Sequence, residues 1–172
     1  MQPRDLNSGL TQEYLRSILR YDPETGLLYW VKPNPLWRKG KPGQIAGCLH
    51  KSSGYWVLKI DGVDYRAHRI IWVMWYGVWP EREVDHEDGD RINNRIKNLR
   101  SATHLQNTAN KKRRRKRRYP KGVDRLPGGR FRAKICVQYK QISLGVFDTP
   151  EEAHAVYLER AKKYFGNFSS PG

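Results

Sequence analysis

Val84-Asp85-His86-Glu87-Asp88-Gly89-Asp90-Arg91-Ile92-Asn93-Asn94-Arg95-Ile96-Lys97-Asn98-Leu99-Arg100-Ser101-Ala102-Thr103-His104-Leu105-Gln106-Asn107 is the most informative stretch of this 172-residue chain. Asp88-Gly89-Asp90 reads as a turn, because Gly tolerates positive φ and Asp side chains hydrogen-bond nearby backbone. Thr103 with Gln106 three residues on forms a capping box, which fixes where a helix begins. Taken singly, Asp85-His86 is compatible with a hydrogen-bonded pair at a strand end, and Asn98 or Asn107 with a turn or cap residue. The information lies in their combined spacing, with Asn93-Asn94-Arg95 and Asn98-Leu99-Arg100 around them.

Upstream, Thr11 caps a short helix whose apolar positions Leu15, Ile18 and Leu19 share a face, and Asp22-Pro23-Glu24-Thr25-Gly26 stops it and turns the chain. Leu27 to Val31 follows as a strand, and the proline-rich stretch from Lys32 to Pro42 as a loop. Tyr55 to Ile60 and Val63 to Ala67 flank Asp61-Gly62, the signature of a hairpin. His68 to Tyr76 carries Ile71, Trp72 and Trp75 at helical spacing before Gly77, an aromatic stripe expected in the core.

Lys plus Arg is 33 and Asp plus Glu 17, a formal charge of +16. Half of that excess is one unbroken run, Lys111 to Arg118, which reads as a boundary between two mildly basic segments. Such charge points to a polyanionic partner. Six Trp and ten Tyr supply core material that a disordered basic tail lacks. No apolar run approaches the ~18–20 residues of a membrane span, and Met1 to Asn7 lead into no hydrophobic signal region. Two cysteines, Cys48 and Cys136, suggest neither a disulfide scaffold nor a four-thiolate zinc site, so a reducing cytosol is expected.

The stretch from Val84 to Asn107 resembles the HNH nuclease motif. That resemblance implies two antiparallel strands, here Glu83 to Glu87 and Asn98 to Ser101, and a helix from Thr103 to about Asn110, gripping one divalent metal. It implies His86 as general base, Asp85 and Asn107 as metal ligands, and the Asn98 side chain or a neighbouring carbonyl as the group orienting the imidazole. The residue types suit phosphodiester hydrolysis, which needs a base to activate water and a cation to neutralise developing charge. An imidazole with its ordinary pKa near ~6.5 is mostly neutral at physiological pH. The family's third motif position is often His; Asn107 in its place makes an Asp and Asn oxygen pair, favouring Mg²⁺ or Mn²⁺ over Zn²⁺. Arg100 is a candidate scissile-phosphate contact or a salt-bridge partner within the fold. His68 recurs upstream of the motif in phage-type HNH proteins and reads as a structural brace.

Toward the other end, extended runs around Gly122-Val123, Phe131 to Val137 and Gln141 to Phe147 precede a helix with Thr149 as cap, Pro150 at its first position and two acids in its first turn. Together with Gly145-Val146-Phe147-Asp148-Thr149-Pro150-Glu151-Glu152-Ala153 and Gly166-Asn167-Phe168, these residues resemble the AP-two/ERF DNA-binding domain. The resemblance implies a three-stranded antiparallel sheet laid in the major groove with a helix behind it. Strand alternation puts Phe131, Ala133, Ile135 and Val137 on one face and Arg130, Arg132 and Lys134 on the other. Lys121, Arg130 and Lys134 carry over by position, and Arg125 and Arg132 join them by charge. Asp124, Leu126, Gly128 and Ser143 depart from the family pattern, so its sequence preference does not transfer.

The chain is thus expected to be α+β: a nuclease module at 1–110, a polybasic linker at 111–118 that tracks the DNA backbone, and a recognition domain at 119–172. The expected activity is metal-dependent cleavage of double-stranded DNA by an endonuclease of the phage or homing type, cytoplasmic in a bacterial host if phage-borne. A DNA-binding regulator with a degenerate nuclease module and a structure-selective nuclease are the competing readings.

Overall fold

The structure, a computed structural model, describes residues 9–33, 40–110 and 118–168. Apart from Arg118, the basic run lies outside the described residues. Helices and strands mix along the chain, consistent with the α+β expectation, and the chain divides into two compact units, Met1–Ser101 and Ala102–Gly172.

In the first unit the Thr11 hydroxyl accepts from the Tyr14 amide and starts α1 (Gln12–Ile18). Leu19, expected on the helix, is instead extended and opens β1 (Leu19–Asp22), which pairs antiparallel with β2 (Leu27–Trp30). Either geometry buries the Leu19 side chain, so its apolarity could not decide between them. A second sheet has the order β3 (Cys48–His50), β4 (Tyr55–Ile60), β5 (Val63–Arg66). Its β4–β5 hairpin turns at Asp61 and Gly62, both at positive φ (49° and 81°), as an Asp-Gly hairpin turn requires. The edge strand β3 carries no alternation of burial and was not foreseen.

α2 (Ala67–Tyr76) follows at once and ends at Gly77 in the left-handed region. Its buried face is Ala67, Ile70, Ile71 and Met74, at the i, i+3, i+4, i+7 spacing of one helix side. The aromatic stripe is not wholly in the core: Trp75 is 49% exposed, in a T-shaped contact with the Tyr21 ring, while Trp72 is half-buried. One hundred degrees per residue carries position 75 off the line through Ile71 and Met74. Leu15, Leu28, Leu58, Ile60, Ile70 and Ile71 form the centre of this core. Beyond it, β6 (Glu83–His86) pairs with β7 (Leu99–Ala102), and α3 (His104–Asn110) follows.

In the second unit β8 (Val123–Arg125), β9 (Phe131–Val137) and β10 (Lys140–Phe147) form an antiparallel sheet in the order β10-β9-β8, against which α4 (Pro150–Phe165) packs. Thr149 and Glu152 close the expected capping box. Ala133 and Ile135 of β9 bury against Ala153, Tyr157, Ala161 and Phe165 of α4, so the alternation of β9 is realised. Among the described residues, no helix is long and apolar enough to cross a membrane.

Gly122 connects this sheet to the helix most tightly. Its φ is +81°, and a Cβ there would overlap the Tyr157 ring. Gly128, at φ +90°, has open space around it. Gly122→Ala should therefore cost about 2–4 kcal/mol, combining left-handed strain with overpacking, whereas Gly128→Ala should cost about 1 kcal/mol of backbone strain alone. Urea unfolding of the two variants checks this; equal losses would mean that the ring contact is not rigid.

Candidate active site

β6 delivers Asp85 and His86 side by side, and both are buried, at 5% and 3% exposure. Buried polar groups need partners. His86 Nε2 lies 3.0 Å from Asn94 Oδ1. An amide oxygen only accepts, so Nε2 carries the proton and Nδ1 is the basic atom of the ring. Burial lowers the His86 pKa, opposed by the Asn94 bond and the charges of Asp85, Asp88 and Asp90. The imidazole is therefore neutral at pH 7.

The side chain bonded to His86 Nε2 is thus that of Asn94. Asn98 works one step back, on the loop. Its Oδ1 accepts from the Asp88 amide (3.1 Å), and its Nδ2 donates to Asp88 Oδ1 (3.0 Å) and the Asn93 carbonyl (2.8 Å). The Asn98 carbonyl accepts from the Glu87 amide at 2.9 Å. Asp88 also accepts from Asn93 Nδ2 and the Asp90 amide; burial would raise its pKa, but these bonds outweigh it and hold the carboxyl low.

Asn94 is placed from the other side of the unit. Tyr21 Oη donates to the Asn94 carbonyl (3.0 Å) and accepts from the Ile96 amide (2.8 Å). Arg95 Nε donates to the Glu24 carbonyl in the first hairpin turn. Gly26 in that turn has φ +76°, and a Cβ on it would stand 2.6 Å from the Arg95 amide nitrogen. The first hairpin is therefore a buttress for the loop that holds the imidazole. Neither Tyr21 nor Asn94 was singled out from sequence; the Asn93-Asn94 pair was the available signal.

Arg100 pairs with Asp85, Nε and Nη2 each 3.1 Å from Oδ2, and reaches Glu87 Oε1 at 3.5 Å. The expected intramolecular salt bridge is present. His68, on α2, stands edge-on to His86 with ring centroids 4.9 Å apart and beside Tyr55 at 5.2 Å. It is fully buried, its Nδ1 has no hydrogen-bond partner among the described residues, and burial with the nearby His86 pushes its pKa well below 6.5.

Asn107 lies on α3 in the second unit, where its amide donates to the Thr103 carbonyl (2.9 Å), and Thr103 and Gln106 exchange their capping bonds. Arg125 and Arg130 are exposed, but Arg125 sits directly across from Phe131, on the face that Val123 and Ala133 turn to α4. Arg132 and Lys134, by contrast, both bond Asp124 Oδ2, Arg132 at 3.3 Å, because Asp124 sits directly across from Arg132 in the β8–β9 register. Burial would raise the Asp124 pKa, but the two cations lower it overall. The face is not the unbroken cationic surface that alternation suggested. Lys121 Nζ donates to the Ala109 carbonyl at the end of α3.

Among the described residues no group of three or more His, Cys, Asp or Glu converges to hold a metal. The Asp85 carboxylate is an oxygen donor of the kind that hard divalent cations take.

The two depressed histidines give stability a sign. Above their ordinary pKa of 6.5 neither the folded nor the unfolded chain protonates them; below it the unfolded chain binds protons that the folded chain refuses. The melting temperature should therefore fall as pH drops from about 6.5 toward 5. His68→Phe should make that dependence shallower. Differential scanning calorimetry across this range checks it, and a flat profile would contradict the burial of neutral imidazoles.

Residues 65–109 match the sequence model of a family described as HNH endonuclease. Over 121 residues, 69% of this chain, the sequence is 32% identical to a protein of Acanthamoeba polyphaga mimivirus named as an uncharacterized HNH endonuclease, L560. The chain spans 63% of that relative's length. No solved structure matches the chain. From β5 to α3, the segment holding Asp85, His86, Asn94 and Asn98, this sequence is similar to the HNH endonuclease family.

Proposed function

We propose that this chain is a metal-dependent DNA endonuclease that hydrolyses phosphodiester bonds, with His86 as general base. The observation that carries the reading is the buried Asp85–His86 pair with Nε2 fixed on the Asn94 amide oxygen. Held so, the ring presents Nδ1 as proton acceptor for a water molecule. The imidazolium that forms stays bonded to Asn94 through Nε2–H.

Asp85 is the proposed carboxylate ligand of the cation, and Asn107 the second ligand on the family resemblance. A bound Mg²⁺ or Mn²⁺ would supply charge neutralisation at the phosphate and leaving oxygen. Arg100 keeps the Asp85 carboxylate paired and oriented. Asn98 acts as a positioning residue, since it fixes the loop that carries Asn94.

The proposed organisation is a chemistry module at 1–110, a backbone-tracking linker at 111–118 and a recognition module at 119–172, as in a site-directed enzyme of the homing type acting on double-stranded DNA. The sheet-on-helix arrangement of β8 to β10 and α4 supports an AP-two/ERF-like reader. Arg125 and Arg130 offer unneutralised charge, with Lys121, Arg132 and Lys134 as further DNA contacts. The phosphate contributes affinity and base edges specificity.

His86→Ala should reduce plasmid cleavage by ~10²–10⁴-fold while leaving DNA affinity nearly unchanged, because the neutral base adds no charge to binding. EDTA should abolish wild-type cleavage and excess Mg²⁺ or Mn²⁺ restore it. Gel-shift and cleavage assays on one preparation decide both. Cleavage by His86→Ala at more than about a tenth of the wild-type rate would overturn the assignment of the base.

A further inference from the structure

Arg100, a candidate for a phosphate contact or an internal salt bridge, pairs with Asp85 and Glu87. Two other arginines beside the imidazole are differently placed. The guanidinium carbons of Arg66, at the end of β5, and Arg91, in the loop after β6, stand 4.6 and 4.9 Å from the centroid of the Tyr55 ring. The Tyr55 ring is itself 6.0 Å from the His86 ring. One aromatic side chain thus gathers two cations next to the proposed base.

Neither arginine has a carboxylate partner among the described residues. The nearby acids are committed elsewhere: Asp88 to Asn93, Asn98 and the Asp90 amide, and Asp90 Oδ1 to the Ile92 amide. Arg66 is exposed. Arg91 donates Nη1 to the Ser53 carbonyl at 2.6 Å, which fixes the side chain and leaves most of its five N–H donors for something else. Cation–π contacts hold each guanidinium without neutralising it. Two unneutralised cations on one ring repel each other, and a phosphodiester between or across them would remove that repulsion while accepting forked hydrogen bonds.

We propose that Arg66 and Arg91, braced on Tyr55, form a phosphate clamp that holds the DNA strand beside His86. The clamp rests on the endonuclease reading for its role in cleavage, but not for its affinity for phosphate. It places the first unit's own hold on DNA at the chemistry, independently of the basic run and the second unit's sheet.

The test compares the full-length double variant R66Q/R91Q with R20Q. Arg20 lies 4.5 Å over the Tyr29 ring in the first hairpin and gives up the same kind of charged interaction. In the cleavage-deficient His86→Ala background, affinity for a 30-base-pair duplex (a length of about 100 Å) is titrated at several salt concentrations. The log–log slope should become shallower by about 1–2 for the double variant, ~0.9 for each phosphate no longer neutralised, and stay unchanged for R20Q. With His86 intact, R66Q/R91Q should lose roughly tenfold or more in kcat/KM, the effect of about one charge-assisted hydrogen bond. R66K/R91K should keep the slope but regain only part of the cleavage, because ammonium groups lack the fork. Equal slopes and equal cleavage for R66Q/R91Q and R20Q would overturn the clamp. If R66Q/R91Q failed to fold, the single Gln variants would carry the test, at about one unit of slope or less each. Wild-type protein that bound DNA without cutting it would sink the endonuclease reading, while the slopes would still decide the clamp.

Discussion

Asp85, His86, Asn94 and Asn98 are all less than a tenth exposed, and buried polar groups left unpaired would each cost about 1–3 kcal/mol. The architecture of the first unit can be understood as the answer to that demand. The hydrogen bond from His86 to Asn94 satisfies the imidazole, but it requires the Asn94 backbone to sit at one place. Tyr21 and the Pro23–Gly26 turn hold it there from one side and Asn98 from the other. The core of Leu15, Leu28, Leu58, Ile70 and Ile71 fixes the hairpin and α2 as a frame. His68 and Tyr55 then wall the ring in. His86 ends a strand and leans on two rings, one anchored on a helix and one on a strand.

Local chemistry was legible in the sequence because its signals are short-range. Asp61-Gly62, the Thr103–Gln106 box, Thr149-Pro150 with Glu152 and the alternation along Phe131 to Val137 each need only a few neighbouring residues, and each recurs in the structure. Asp85 and His86 were singled out through a motif, which is also short-range. What escaped depends on contacts between distant parts of the chain. Tyr21 reaches Asn94 across 73 positions, Arg91 reaches Ser53 across 38, and nothing in either residue's neighbours announces it. The sequence reading gave the orienting contact to the Asn98 side chain or a neighbouring carbonyl, whereas the Asn94 side chain, only four residues away in the same loop, bonds Nε2. The motif narrows the loop; only the three-dimensional path of the loop chooses between the two amides.

Trp75 and Asp124 teach a related point about faces. A large aromatic at nearly helical spacing invites assignment to the core, yet half of Trp75 is exposed because the buried line of α2 runs through Ile70, Ile71 and Met74. Alternating cations at Arg130, Arg132 and Lys134 invite assignment as a DNA-reading surface, but cross-strand register sets Asp124 against Arg132 and brings Lys134 to the same oxygen. Pairs across strands stabilise sheets. The same pairing neutralises Arg132 and Lys134 on that face, and leaves Arg130, just before β9, exposed and outside it.

The chemistry proposed for the site depends on the state of one ring. If the buried imidazole of His86 is neutral with its proton on Nε2, bonded to Asn94, then Nδ1 is a base poised for water. Nitrogen-15 NMR of the imidazole, assigned by comparison with His86→Ala, reads both charge and tautomer directly. At pH 7 the account expects a neutral ring with Nε2 protonated and Nδ1 unprotonated. A doubly protonated ring, or a neutral ring with its proton on Nδ1, would contradict it.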